Sequence, residues 1–280
     1  MNAYLRLMRL DKPIGIYLLL WPTLWALFLA AKGWPSIELL LIFSLGVALM
    51  RSAGCVINDY ADRDIDQHIK RTSTRPIATG EISPKSALKL FIVLVIVAFF
   101  LVLLTNTLTI QLAFIAAFLA TLYPFTKRWI AMPQLVLGLA FAMSVPMAFA
   151  ATINSVPLKA WWVFLATVIW TVVYDTMYAM ADREEDLKIG VKSSAIFFGR
   201  HDRLIIAILQ ITLMAVLIKI GNIFNLGYFY DISIIMSAIL MIYHQKMIKN
   251  REKLACFHAF LHNNYVGLII FIGISTSLIL

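Results

Sequence analysis

The chain has 280 residues, of which 61% are hydrophobic and 14% charged, and its 24 Lys and Arg against 15 Asp and Glu give a formal net charge of +9. A soluble domain sits nearer about 45–50% apolar, so the composition excludes an ordinary cytosolic protein. With no polar block to form a basic soluble domain, nucleic-acid binding is excluded as well.

Apolar runs of about 20 residues, each long enough to cross a hydrocarbon core of roughly 30 Å, recur along the whole length. Nine are predicted: 15–32, 37–58, 88–105, 108–124, 133–152, 160–181, 204–221, 228–245 and 261–279. They are too long for strands and lack period-two alternation, so they read as helices. The basic start followed by an apolar run resembles a signal peptide, but no small-x-small cleavage site follows, and an uncleaved first helix is expected. Turn signals at "KGWPS", "TNTLT", "INSVP" and "IGNIFNLGY" separate some runs; the other connections are longer and charged. The expectation is an all-α polytopic membrane protein, a bundle of nine transmembrane helices forming one domain over residues 1–280. Cys55 and Cys256 lie far apart, form no CxxC, and read as small apolar residues.

The basic residues set the orientation. All 24 except Lys32, Lys159, Lys219 and Arg51 fall on the side of the N-terminus and the charged connections. That side is expected to be cytoplasmic, and nine spans then leave the C-terminus outside. The net positive charge reads as topology plus attraction for anions.

Acidic residues are scarce and clustered. "INDYADRDID" (57–66) ends the second run, and "YDTMYAMADREED" (174–186) ends the sixth. Asp62 and Asp66 are four apart, as are Asp182 and Asp186, and both pairs are offset by 120 residues. Four spans lie between the clusters, which returns the chain to the same face. The pattern reads as a weak internal repeat, two halves with one acidic pair each. Residues four apart share a helix face. Asn58, Asp62 and Asp66 therefore form one stripe if the helix continues, and Tyr174, Tyr178, Asp182 and Asp186 form another. Like charges at this spacing repel, so a cation is needed. Paired carboxylates with an amide oxygen suit Mg²⁺, which commonly binds through one or two carboxylates plus substrate phosphates. Arg63, Lys70, Arg75, Lys127, Arg128, Lys188 and Lys192 stand nearby in sequence, and carboxylates with Mg²⁺ and Lys/Arg make a diphosphate site. The bland alternative is a solvated acidic loop; two matched clusters, each joined to an apolar helix end, argue against it.

These residues resemble the UbiA superfamily of intramembrane aromatic prenyltransferases, whose NDxxDxxxD and DxxxD motifs read here as "NDYADRDID" and "DREED". "RLDKPIGIYLLLWPTLWAL", "RSAGCVINDYADRDID", "RPIATGEIS", "YPFTKR" and "KSSAIFFG" are similar to its 4-hydroxybenzoate polyprenyltransferase branch. The resemblance covers nearly the whole chain. It implies a polyprenyl diphosphate with its head at the cytoplasmic mouth and its tail in a groove open to membrane lipid. It implies Mg²⁺ between the diphosphate and Asn58, Asp62, Asp66, Asp182 and Asp186, and a bacterial inner membrane location. It implies 4-hydroxybenzoate as the acceptor, prenylated ortho to its hydroxyl to give a ubiquinone precursor. The four aspartates are the catalytic candidates, with Arg63, Lys127, Arg128 and Lys188 as substrate-binding candidates.

Arg51 stands seven residues before Asn58, inside a span, and an intramembrane arginine is a functional candidate. The resemblance makes it the partner of the acceptor's carboxylate, with Arg9 second. Asp59 and Asp175 flank the stripes and either bind metal through water or orient arginines. Asp64, Glu184 and Glu185 read as solvated or supporting. Tyr123 reads as a helix-end anchor or a head-group neighbour, and the tryptophans as interface or packing residues. The histidines show no metal-ligand spacing. The rival readings are another aromatic acceptor, a transporter with its charges at the bilayer midplane, and a chain-elongating synthase, which nine membrane spans oppose.

Overall fold

A computed structural model of the chain describes residues 2–67 and 72–280. Lys70, named above, lies outside the described residues, as do His68 and Arg71. The described residues form thirteen α-helices with two short 3₁₀ turns and no strand. They are α1 (Ala3–Leu7), α2 (Ile14–Ala31), α3 (Ile37–Ala61), α4 (Arg63–Asp66), α5 (Pro84–Val102), α6 (Thr107–Thr126), α7 (Pro133–Ala142), α8 (Ser144–Ile153), α9 (Ala160–Ile189), α10 (Ser194–Phe198), α11 (Asp202–Phe224), α12 (Tyr228–Met247) and α13 (Lys253–Ile279).

Each predicted run is helical. Eight helices are long and apolar enough to cross a membrane, with α7–α8 counted as one span over Pro133–Ile153 and α10–α11 as one over Ser194–Phe224. The remaining predicted span, 228–245, forms α12 and is not among the eight. Asp231 at its start and His244, Gln245 and Lys246 at its end dilute its apolar stretch.

Helix starts follow local capping. Ser36 Oγ accepts from Leu39 N, Ser83 Oγ from Ser86 N with Pro84 in the first turn, and Asn106 Oδ1 from Thr109 N, each satisfying an otherwise orphaned amide. Stops use left-handed residues at Lys32, Asn154, Gly190 and Asn225.

Helix α9 is the most buried span and packs against α7, α11 and α13, while α2 packs against α8 and α13. Their core holds Trp25, Phe149, Trp170 and Tyr174. In contrast, α5 and α6 turn mostly apolar side chains outward, as lipid-facing helices do. A smaller cluster of Leu7, Ala53, Val56, Ile77, Ile82 and Leu94 ties α1, α3, α5 and the 72–83 connection together beneath the first acidic motif.

Candidate active site

The two acidic motifs ride on different backbones. Helix α3 ends at Ala61, and Asp62 takes a non-helical conformation (φ −96°, ψ 2°) before α4 begins. Asp62 N still bonds Asn58 O and Asp66 N bonds Asp62 O, so the i, i+4 register survives the break. The second motif lies within continuous α9.

Both motifs line one cavity of about 1440 Å³, through Asn58, Asp59, Asp62 and Asp66 on one side and Asp175, Tyr178, Asp182 and Asp186 on the other. Tyr174, the first member of the second stripe, packs in the core against Trp170 and bonds Thr171 instead. Helices α5 and α6 line the same cavity through Ile96, Phe99, Ala113, Ala117 and Ala120, which give that part of the wall an apolar surface.

Cations hold the first motif. Arg75 Nη1 reaches Asp59 Oδ1 at 3.0 Å and Asp66 Oδ2 at 2.8 Å, and Arg9 Nη2 bonds Asp59 at 2.9 and 3.0 Å. Asp62 Oδ2 accepts from Lys127 Nζ and, at 3.3 Å, from Asn58 Nδ2. Burial pushes the Asp66 carboxyl above the ordinary carboxylate value, with Arg75 opposing and Asp62 and Asp59 adding to it. Burial works against the Arg75 charge, but Asp59 and Asp66 outweigh it and keep the guanidinium charged. The connection after α9 is stitched to the one after α6, since Lys192 N bonds Lys127 O and Lys192 Nζ bonds Trp129 O, and both lysines line the cavity.

Asp62 Oδ1 is buried without a partner in the cavity wall. That orphaned oxygen, in an all-oxygen donor set, fits the expected Mg²⁺. Among the described residues no three of His, Cys, Asp and Glu converge tightly enough to hold an ion by themselves. Each ion would therefore take one or two carboxylates, completed by water and substrate oxygens.

Deeper in the wall, Arg51 Nε is also buried without a partner, and its Cζ lies 5.9 Å from the Phe141 ring centre. Arg51 makes no ion pair among the described residues, while Asp175, Tyr123 and Tyr174 stand close enough to act on its charge. Arg9 also lines the cavity but is already engaged by Asp59. Arg63, Arg128 and Lys188 are not in the cavity wall. Arg63 stacks on Tyr60 and bonds its carbonyl, Arg128 Nη2 bonds Ala61 O, and Lys188 is exposed at the end of α9. Each is near a motif in sequence but projects from another side of its segment. Arg75 and Lys192 do line the cavity, joined by Gln134, Ser193 and Asn264, which no sequence signal marks.

The model of the UbiA prenyltransferase family matches residues 19–266. A protein of Vesicomyosocius okutanii named 4-hydroxybenzoate octaprenyltransferase is 68% identical over 96% of this chain and 99% of its own. One of the same name from Saccharophagus degradans is 58% identical over 97% of this chain and 91% of its own. Among solved structures, the apo UbiA homolog from Aeropyrum pernix K1 superposes with a TM-score of 0.81 at 24% identity, covering 93% of this chain and 97% of that one. The UbiA homolog from Archaeoglobus fulgidus bound to GPP and Mg²⁺ gives 0.77 at 21% identity, covering 99% of each. At those identities the likeness speaks for the fold.

Proposed function

The chain belongs to the UbiA prenyltransferase family, and from that premise we propose how its cavity transfers a polyprenyl group from polyprenyl diphosphate to 4-hydroxybenzoate. The product is 3-polyprenyl-4-hydroxybenzoate, a precursor in ubiquinone biosynthesis. One observation carries the reading: Asp62, Asp66, Asp182 and Asp186 line the same cavity as Arg51, a half-buried arginine with no ion-pair partner among the described residues.

The allylic C–O bond ionises, the diphosphate departs, the ring carbon ortho to the phenol oxygen takes the carbocation, and that carbon's proton is lost. Asn58, Asp62, Asp66, Asp182 and Asp186 would hold Mg²⁺, one or two carboxylates to an ion, and the metal would neutralise charge on the departing diphosphate. Arg75 and Lys127 hold the first motif's carboxylates in place, and Lys127 and Lys192 offer further donors to phosphate oxygens. Arg51 holds the acceptor's carboxylate, which fixes the ring between the diphosphate and Phe141. The apolar channel between α5 and α6 takes the isoprenoid and keeps water from the carbocation. As a multi-pass membrane protein the chain sits with this mouth in the cytoplasm, in the inner membrane. The whole chain acts as one domain.

The test uses membranes carrying the protein, supplied with 4-hydroxybenzoate, geranyl diphosphate and Mg²⁺. Mass spectrometry should find geranylated 4-hydroxybenzoate, lost in EDTA and restored by Mg²⁺. Prenylation of a different aromatic acceptor in its place, or full activity without metal, overturns the proposal.

A further inference from the structure

Gly15 lies in the first turn of α2 and is buried. Its backbone is not left-handed, so no conformational demand calls for glycine there. Helix propensity favours alanine over glycine at such a position. The reason for glycine is therefore spatial. A Cβ placed on Gly15 would stand 2.3 Å from Arg51 Nε, 2.7 Å from Nη2 and 2.8 Å from Cζ. The missing side chain is the seat of the Arg51 guanidinium.

We infer that Gly15 is a positioning residue for the acceptor: by leaving a bare patch of α2 against which Arg51 folds, it sets where the substrate's carboxylate binds. The inference rests on the reading of Arg51 as the carboxylate's partner. The guanidinium is walled by α2 on one side and faces Phe141 of α7 on another. Nε is shut away without a partner, and Arg51 lines the cavity. A planar fork held this way can grip a carboxylate with two parallel bonds, provided its plane is fixed. A methyl group at position 15 pushes on the far end of a long flexible side chain, not on backbone. The chain can yield by moving the guanidinium out of its seat, and the fold is expected to survive.

The experiment is a double-mutant cycle of Gly15→Ala and Arg51→Ala, with KM measured separately for 4-hydroxybenzoate and geranyl diphosphate. Arg51→Ala alone should raise KM for 4-hydroxybenzoate roughly 10- to 100-fold, the value of a charge-assisted pair. Gly15→Ala should raise the same KM about 10-fold, leave KM for geranyl diphosphate within about twofold, and add nothing in the Arg51→Ala background, because both changes act through one side chain. An equal penalty for Gly15→Ala with and without Arg51, or a change chiefly in the diphosphate KM, overturns the inference. An unchanged acceptor KM in Arg51→Ala overturns the acceptor reading itself, whereas an effect in Arg51→Ala with none in Gly15→Ala overturns only the seat. If Gly15→Ala fails to fold, the double variant decides: recovery on removing the Arg51 side chain supports the seat, and continued misfolding overturns it.

Discussion

Asp62 and Asp182 face one cavity from unlike scaffolds. Asp62 sits at the break between α3 and α4, where Lys127 and Asn58 hold one carboxylate oxygen and Arg75 and Arg9 brace its neighbours Asp66 and Asp59. Asp182 sits within α9, a 30-residue helix fixed by packing on three others. The basic residues next to it in sequence are used elsewhere: Arg183 bonds Asp202 at 3.3 Å, and Lys188 is exposed. The first motif is thus braced by charge at a helix break, while the second rides on a packed helix and pairs Glu185 with Lys253. Matched motifs therefore need not be equally tolerant of change around them, even where their chemistry is shared.

The largest expected effect tests the shared chemistry. Asp62→Ala and Asp182→Ala should each lower kcat by at least about 10²–10³-fold, the usual scale for losing one group that stabilises developing charge. The double variant should be little worse than either, because the two act as a unit. Initial rates at fixed Mg²⁺ check this. If one variant kept most of the wild-type rate, the two motifs would not serve one site.

The second prediction tests the difference. Arg75→Ala leaves Asp66 buried without its ion-pair partner, and breaking a buried pair from one side costs about 3–5 kcal/mol. Arg75 is partly open to solvent, so the lower end is expected. Lys188→Ala beside the second motif should stay within about 0.5 kcal/mol, as exposed substitutions do. Thermal unfolding in EDTA compares them. Equal losses would mean that Arg75 braces the first motif no more than exposed Lys188 braces the second.

The reach of the sequence follows the same physics. Membrane spans are legible because a long apolar run has few alternatives to a helix in lipid. Their ends are less so. The last helix begins at Lys253, well before the predicted 261, since Lys253 and His258 look too polar for a span. Asn263 is in fact buried, with Nδ2 donating to Ala259 O and Oδ1 accepting from Trp170 Nε1. An interior bond of that kind has no periodic signature. The aspartates stood out because carboxylates are rare in so apolar a chain, and Arg51 because a charge within a span is rarer still. Arg75 and Lys192 stand out only as members of a larger basic group with Arg63, Arg128 and Lys188, because tertiary packing decides which of them line the cavity. Gly15 does not stand out at all, because a glycine's use as empty space is visible only against the side chain that fills it.

The smallest expected effect again concerns the charged motif. Burial holds the folded-state pKa of Asp66 above its ordinary 3.8, despite Arg75. A carboxyl with a raised folded pKa binds more protons when folded than when unfolded between those two values. Stability from this group is therefore highest below about pH 4, falls as pH rises through the window, and is flat above the folded pKa. A tenfold change in the proton affinity of the carboxylate on folding is worth about 1.4 kcal/mol. Asp66→Asn removes the titration, so the stability difference between wild type and variant, measured in EDTA from pH 4 to 8, should move against the wild type as pH rises. Mg²⁺ should flatten the difference, because a cation favours the ionised form. A difference moving toward the wild type over that range would mean that Arg75 more than offsets burial. The first motif would then be stabilised by its own charges, with no strain for a metal ion to relieve.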